Sequence, residues 1–141
     1  MSVPTAASVP DGDDLTRIRR VVAERGLVGL ANDTKWNELL AVMRARRTHV
    51  PAHRWKRIDA DHVTRWDSEW FYHLPTPFVS CEWLDIRLVR EVRQGRLVPP
   101  RRIEHGDWIE SALDRIGFDW IRHGDVARIF GYAPRSLEGL D

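Results

Sequence analysis

Apolar and polar positions divide this chain into short periodic runs, separated by proline, glycine and acidic breaks. Leu15, Ile18 and Val22 recur at helical spacing and Gly26 is a suitable terminator, which predicts a helix over 13–25. Trp36, Leu39, Leu40 and Met43 fall at i, i+3, i+4 and i+7, an apolar stripe on a second helix over 34–47. Asn32, Asp33 and Thr34 can each cap its start, Arg44, Arg46 and Arg47 suit the dipole at its end, and Pro51 stops any continuation. "RWKRI" (54–58) reads as a short strand. "EWFYHL" (69–74) and "FVSCEWLDI" (78–86) read as strands on either side of the break "PTP". Residues 87–95 read as a short helix closed by Gly95, and "VPPRR" as irregular. Trp108, Ile109, Ala112, Leu113 and Ile116 share a helical face, with Asp107 and Glu110 at capping-box spacing and Gly117 at the C′ position. "FDWIR" and "DVARIFGY" then form two strands around a tight turn in which Gly124 supplies a positive φ. This order predicts an α+β domain: an antiparallel sheet of about five strands with two to four helices packed on one face.

A hairpin folded at "PTP" would set Trp70 opposite Trp83, Tyr72 opposite Cys81 and Leu74 opposite Val79, all on one face. That aromatic, uncharged face is the expected core. The other face would carry Glu69, Phe71, His73, Ser80, Glu82 and Leu84. Of these, Glu69, Phe71, His73 and Glu82, together with nearby Trp66, are the expected partner-binding residues.

Composition narrows the setting. A chain of 141 residues suits one domain, expected over 13–141, with 1–12 as a disordered leader of small and polar residues. No apolar run approaches the roughly 20 residues of a membrane span, and the N-terminus lacks the pattern of a secretory signal. The single cysteine, Cys81, excludes an internal disulfide and fits a reducing compartment, so the cytoplasm is the expected location. A net charge of +1 argues against a generic polyanion binder, but it averages over a pattern. Residues 87–103 carry six arginines and one glutamate, whereas residues 104–141 carry eight acids and four arginines. Arg87, Arg90, Arg93, Arg101 and Arg102 form the candidate basic patch. On a helix Arg87, Arg90 and Arg93 would lie along one face and could track a phosphate backbone.

Chemistry finds little support. On a strand, Glu69 and His73 would stand about 13 Å apart at roughly 3.3 Å per residue, too far to share one metal. His73 beside Ser80 could imitate a base and nucleophile, but no glycine-rich elbow or oxyanion donor marks Ser80. His49 and His53 have i, i+4 spacing, yet Pro51 breaks the helix that would align them. Cys81 reads as a small buried hydrophobe. No phosphate-cradling glycine loop is present. The reading therefore assigns no catalytic residue, metal or cofactor.

"NDTKW" opening a helix, then "WDSEWFYHL", "EWLDI" and "IESALDRIGFDW…VARIFGY" together resemble a family of short, uncharacterised bacterial proteins of unknown function. The resemblance spans about 32–132, leaving out the leader and first helix, and implies no particular activity. Proteins of this kind are similar in size and composition to immunity proteins that neutralise toxins. The expectation is a domain that binds another protein, in its most specific form a bacterial toxin. Abundant Trp and Arg, both favoured at binding hot spots, support it. The alternatives are a nucleic-acid-binding regulator using 87–102, and a small hydrolase or metal enzyme around His73.

Overall fold

The computed structural model describes residues 3–9 and 14–140, and follows the expected order of elements at both ends while departing from it in the middle. Helix α1 (Asp14–Arg25) ends at Gly26, whose φ of 64° is the left-handed conformation glycine tolerates. Strand β1 (Val28–Gly29) leads into α2 (Asp33–Arg44). Asn32 caps α2 by accepting the Lys35 N–H at 2.9 Å, and its apolar stripe is buried. The helix ends before Arg46 and Arg47, which are exposed beyond it. Strand β2 (His53–Arg57) follows, then an irregular stretch over 58–77 and one 3-10 turn (Phe78–Ser80) before β3 (Cys81–Arg87). Strands β4 (Val89–Val92) and β5 (Arg101–Glu104) pair with each other. Helix α3 (Gly106–Ile116) closes at Gly117, φ 89°, as its position predicts. Strands β6 (Trp120–His123), β7 (Val126–Phe130) and β8 (Tyr132–Ala133) complete the described chain, with Gly124 at φ 60° in the turn between β6 and β7.

The class is α+β, and its centre is a four-stranded antiparallel sheet in the order β2-β3-β7-β6. Two smaller antiparallel pairs, β1-β8 and β4-β5, stand beside it. Register sets Trp55, Leu84, Ile129 and Trp120 in one row across the sheet and His53, Ile86 and Ala127 in the next. These rows face α2 and α3, where Trp36 lies between Phe78 (ring centroids 4.9 Å apart) and Phe118 (5.0 Å). Helix α1 packs on a separate cluster of Ile18, Ile58 and Tyr132. Residues 3–9, assigned by sequence to the leader, lie against the core: Ala6 is fully buried and accepts the Phe78 N–H at 2.8 Å.

The opposite face of the sheet is polar in an unusual way. Asp85 and Arg128 have side chains wholly removed from solvent, and Arg128 grips Asp85 through Nε (2.7 Å) and Nη2 (2.9 Å). Arg54 adds a third bond from Nε at 2.9 Å, while the Arg128 guanidinium lies 3.6 Å above the Trp83 ring. A strap over 134–140 covers the cluster: Arg128 donates to the Ser136 carbonyl (2.9 Å) and Arg54 to the Gly139 carbonyl (3.0 Å). A paired, fully hydrogen-bonded charge survives burial where a lone one would not. Gly131 makes the close approach beside this cluster possible, because a Cβ there would stand 2.1 Å from the Cys81 carbonyl oxygen.

Three expectations are corrected. Residues 69–74 form no strand, so the hairpin with Trp70 opposite Trp83 does not exist. Trp70 lies in the main core, Trp83 under Arg128, and Tyr72 is 57% exposed. Residues 87–95 are not helical, and the last two residues of "VPPRR", read as irregular, open the partner strand β5. The capping box of Asp107 and Glu110 is not formed: His105 is the N-cap residue, without a side-chain cap, and Glu110 bonds Arg122 instead.

Candidate functional site

The stretch 66–77 is a polar clasp. Asp67 Oδ1 accepts the Glu69 N–H at 2.8 Å, the short-range bond that makes aspartate a turn residue. Glu69 Oε1 then accepts the backbone N–H groups of Phe71 (2.9 Å), Tyr72 (2.6 Å) and His73 (2.8 Å). His73 closes the ring by donating from Nδ1 to Asp67 Oδ2 at 2.6 Å. Burial alone would raise the Asp67 and Glu69 carboxyl pKa values, but these donors outweigh it and hold both below the ordinary range. The clasp docks on β2 and the residues just before it: Asp67 exchanges two backbone bonds with His53 (2.8 and 2.9 Å), Trp70 Nε1 donates to the Pro51 carbonyl (2.8 Å), Trp55 Nε1 to the His73 carbonyl, and Arg57 Nη1 to the Thr76 carbonyl (3.5 Å).

His53 is the hinge of that docking. It is buried, its ring meets Trp70 edge-on at 4.5 Å, and Nε2 donates to the Glu69 carbonyl at 2.6 Å. Its Nδ1 has no partner among the described residues. Burial therefore holds its pKa below the usual histidine value, against the pull of the Glu69 carbonyl and Asp67.

The expected partner-binding set is dispersed by this geometry. Glu82 is buried and held bidentately by Arg25 at 3.0 and 3.1 Å, so its carboxylate is engaged within the chain. Glu69 is committed to backbone donors. Trp66 is half-buried beneath the guanidinium groups of Arg54 (4.7 Å) and Arg87 (4.3 Å). Only Phe71 (37% exposed), with Arg44 stacked 4.9 Å from its ring, and the exposed imidazole of His73 remain accessible. The 13 Å separation expected for Glu69 and His73 also falls with the strand, since the Glu69 carboxylate touches the His73 backbone.

An imidazole oriented by a carboxylate is the geometry of a general base, and His73 borders a cleft of about 300 Å³ with His53, Trp55, Thr64, Trp66 and Asp67. The remaining parts of a hydrolase are engaged elsewhere. Ser80 is buried and donates to the Pro75 carbonyl at 3.1 Å. The converging N–H groups of 71–73, which could have held an oxyanion, already hold Glu69. Among the described residues no three His, Cys, Asp or Glu side chains converge as metal ligands. Burial pushes the Cys81 thiol well above its usual pKa, the opposite of an activated nucleophile.

The basic patch is brought together differently. After β3, Leu88 is buried, and the chain runs out into the β4–β5 hairpin (89–104) before returning at His105. All ten residues from 93 to 102 are exposed, and Leu97 at the tip is 96% exposed. This arm carries Arg90, Arg93, Arg96, Arg101 and Arg102 against two glutamates. Register separates them: Arg90, Val92, Arg101 and Ile103 share one face, and Val89, Glu91, Arg102 and Glu104 the other. Arg102 is paired with Glu104 and Asp125, so its face is charge-balanced. Among the described residues, Arg87, Arg90, Arg93, Arg96 and Arg101 form no ion pair with a carboxylate. Arg87, Arg90 and Arg102 also border a cleft of about 390 Å³ at the base of the arm, with Val50, Ser68 and Glu91.

The basic surface extends beyond what the sequence marked. Arg46 stacks on Trp108 at 4.3 Å, and Trp108 Nε1 donates to His105 Nδ1 at 3.0 Å. His105 is buried at the root of the arm, and burial lowers its pKa, assisted by the positive charges of Arg46, His49 and Arg90. The end of α2 and the acid-free face of the arm thus meet around one histidine. No pattern in the sequence joins residues 46–49 to 90. The buried Asp85–Arg128 pair was missed too, although an acid and an arginine set in the middle of "EWLDI" and "VARIF" were its signal.

The molecule is accordingly an α+β domain with a self-satisfied polar clasp and a projecting, arginine-bearing β-arm. It belongs to a family of unknown function, DUF6678, whose pattern covers residues 18–136 and so includes most of α1 as well as the motifs above. No curated protein and no solved structure matches it. No helix among the described residues is long and apolar enough to cross a membrane.

Proposed function

We propose that this protein acts by binding nucleic acid through the β4–β5 arm. The observation that carries the reading is the arm itself: ten consecutive exposed residues, with arginines on both strands and in the loop, and a face free of acids. Guanidinium groups spaced along a narrow ribbon match the repeated charge of a phosphate backbone, and of those on the arm only Arg102 is paired with a carboxylate among the described residues. The segregation also explains how a chain of net charge +1 could bind a polyanion, since its acids lie on other surfaces or in buried pairs.

The test is fluorescence anisotropy with a short labelled duplex and with its single strand, across a salt series. With four to five arginines at phosphates, log K should fall against log salt with a slope of about −4 for the duplex. Arg93→Ser and Arg96→Ser together should reduce that slope by about 2. Absence of binding to either probe at low salt, or a slope that ignores the arginines, overturns the proposal.

A second reading rests on a different observation. Phe71 and Tyr72 are exposed side by side at the outer corner of the clasp, with Arg44 against Phe71, and Tyr and Arg are hot-spot residues. This corner supports a protein partner, in its most specific form a toxin neutralised by an immunity-type complex. Co-expression with a toxin encoded by an adjoining gene tests it. Rescue of growth by the native chain and its loss with Phe71→Ala/Tyr72→Ala supports the reading; rescue that is absent, or indifferent to the substitutions, ends it.

A further inference from the structure

We infer that the arm is a wedge for the minor groove of double-stranded DNA, its tip entering between base pairs; the inference rests on the nucleic-acid reading of the arm. The loop joining β4 and β5 places Leu97, Val98, Pro99 and Pro100 in succession at the far end of the hairpin. Leu97 is 96% and Val98 52% exposed, so among the described residues none covers this apolar cluster. Arg93 and Arg96 precede the cluster and Arg101 and Arg102 follow it. An apolar point with unpaired cations on both sides, Arg93 and Arg96 before it and Arg101 after it, is suited to a target that offers stacked bases in the middle and phosphates on either side.

The chemistry of that target selects DNA. Proteins that enter the minor groove insert leucine, isoleucine, proline or similar side chains between base steps, partly unstacking them, while flanking arginines hold the groove walls. A two-stranded ribbon is wider than the roughly 6 Å minor groove, so the apolar tip alone enters it, and the groove opens as the inserted side chains kink the duplex. Two adjacent prolines lack backbone N–H groups and restrict φ, so the tip is stiff and offers few donors that would prefer water. An A-form RNA duplex has a wide, shallow minor groove and gives the flanking arginines no walls to grip. Residues 89–104 contain no Trp, Tyr or Phe, the side chains that anchor insertion at a membrane interface. The acid-free face with Arg90, Val92, Arg101 and Ile103 fixes which side of the arm turns to the duplex, and at the root Arg90 is tied to the Val50 carbonyl.

The experiment compares equilibrium binding of the full chain to an intact duplex, the same duplex with a central unpaired bulge, the corresponding RNA duplex, and vesicles of phosphatidylglycerol and phosphatidylcholine. Bending is read by energy transfer between end labels. The wedge predicts about tenfold or more preference for the bulged duplex, because unstacking there is already done, weaker binding to RNA, and an increase in end-to-end transfer on the intact duplex. Leu97→Ser/Val98→Ser should bring the preference close to one and abolish bending while keeping the salt dependence. Equal affinity for intact and bulged DNA without bending overturns the wedge and leaves the nucleic-acid reading standing. Vesicle binding that is lost in Leu97→Ser/Val98→Ser, without DNA binding, overturns both in favour of a membrane. Failure to bind any probe at low salt overturns both as well.

Discussion

Residues 66–77, rich in aromatic and acidic side chains, and residues 89–104, rich in arginine and without an aromatic, are both crowded with side chains of the kind that make contacts, but they use them in opposite directions. In the clasp, Asp67, Glu69 and His73 bond to one another and to the local backbone, and Trp70 reaches into the core. In the arm, Arg93, Arg96 and Arg101 and an apolar tip stand exposed, without a carboxylate partner among the described residues. The clasp is rich in the residue types that suggest chemistry, and its geometry shows them stabilising a turn. The arm, which on sequence reads as a plain helix face, carries the exposed functional groups. Residue type alone does not distinguish the two; whether each donor and acceptor is already engaged does.

That contrast can be broken from either side. The largest effect should follow from Trp70→Ala, which removes a buried indole and leaves the Pro51 carbonyl without its donor; a loss of about 3–5 kcal/mol in chemical denaturation is expected. Glu69→Ala should cost about 1.5–3 kcal/mol, since three N–H groups lose a charged acceptor. Its DNA affinity, measured under folding conditions, should be unchanged. Acid should separate the regions next. His53 and His105 have pKa values lowered by burial, so the unfolded chain binds more protons, and stability should decline as pH falls below the ordinary histidine value of about 6.5. Asp67 and Glu69 are also lowered, so their contribution is present above the carboxylate range and is lost only at more acidic pH. Thermal melts across a pH series should show these two declines in that order. The arm contains no histidine but His105 stands at its root, so at fixed salt a proton gained there should strengthen DNA binding slightly where stability first begins to fall. The smallest effect on stability belongs to Arg93→Ser/Arg96→Ser, expected within about 0.5 kcal/mol of the native chain. A large destabilisation by that pair would mean that the arm is part of the fold rather than an appendage.

The two ends of the fold were readable because their signals are local. Trp36, Leu39, Leu40 and Met43 declare α2 by period alone, and Gly117 and Gly124 mark turns that require positive φ. The middle was not, because its decisive bonds are made by side chains. "EWFYHL" has aromatic strand character, yet the N–H groups of 71–73 are taken by Glu69, leaving no ladder to form. The aspartate two residues before that glutamate was the overlooked turn signal. In "RLVREVRQG", Leu88, Val89 and Val92 fit a helical face as well as a strand, and only the pairing with "RRIE" beyond the prolines decides between them. The basic patch was found by charge, but its convergence with Arg46 and His49 depends on tertiary placement that no spacing encodes.

The join between β3 and the arm has a mechanical meaning. Leu88 alone separates the two strands; its N–H is fastened to the Asp125 carbonyl and its carbonyl to the His105 N–H, both at 2.7 Å. The arm is therefore rooted in the second strand of the four-stranded sheet rather than at its edge, and a force that frees its base must break the hydrogen-bond rows from β3 to both β2 and β7.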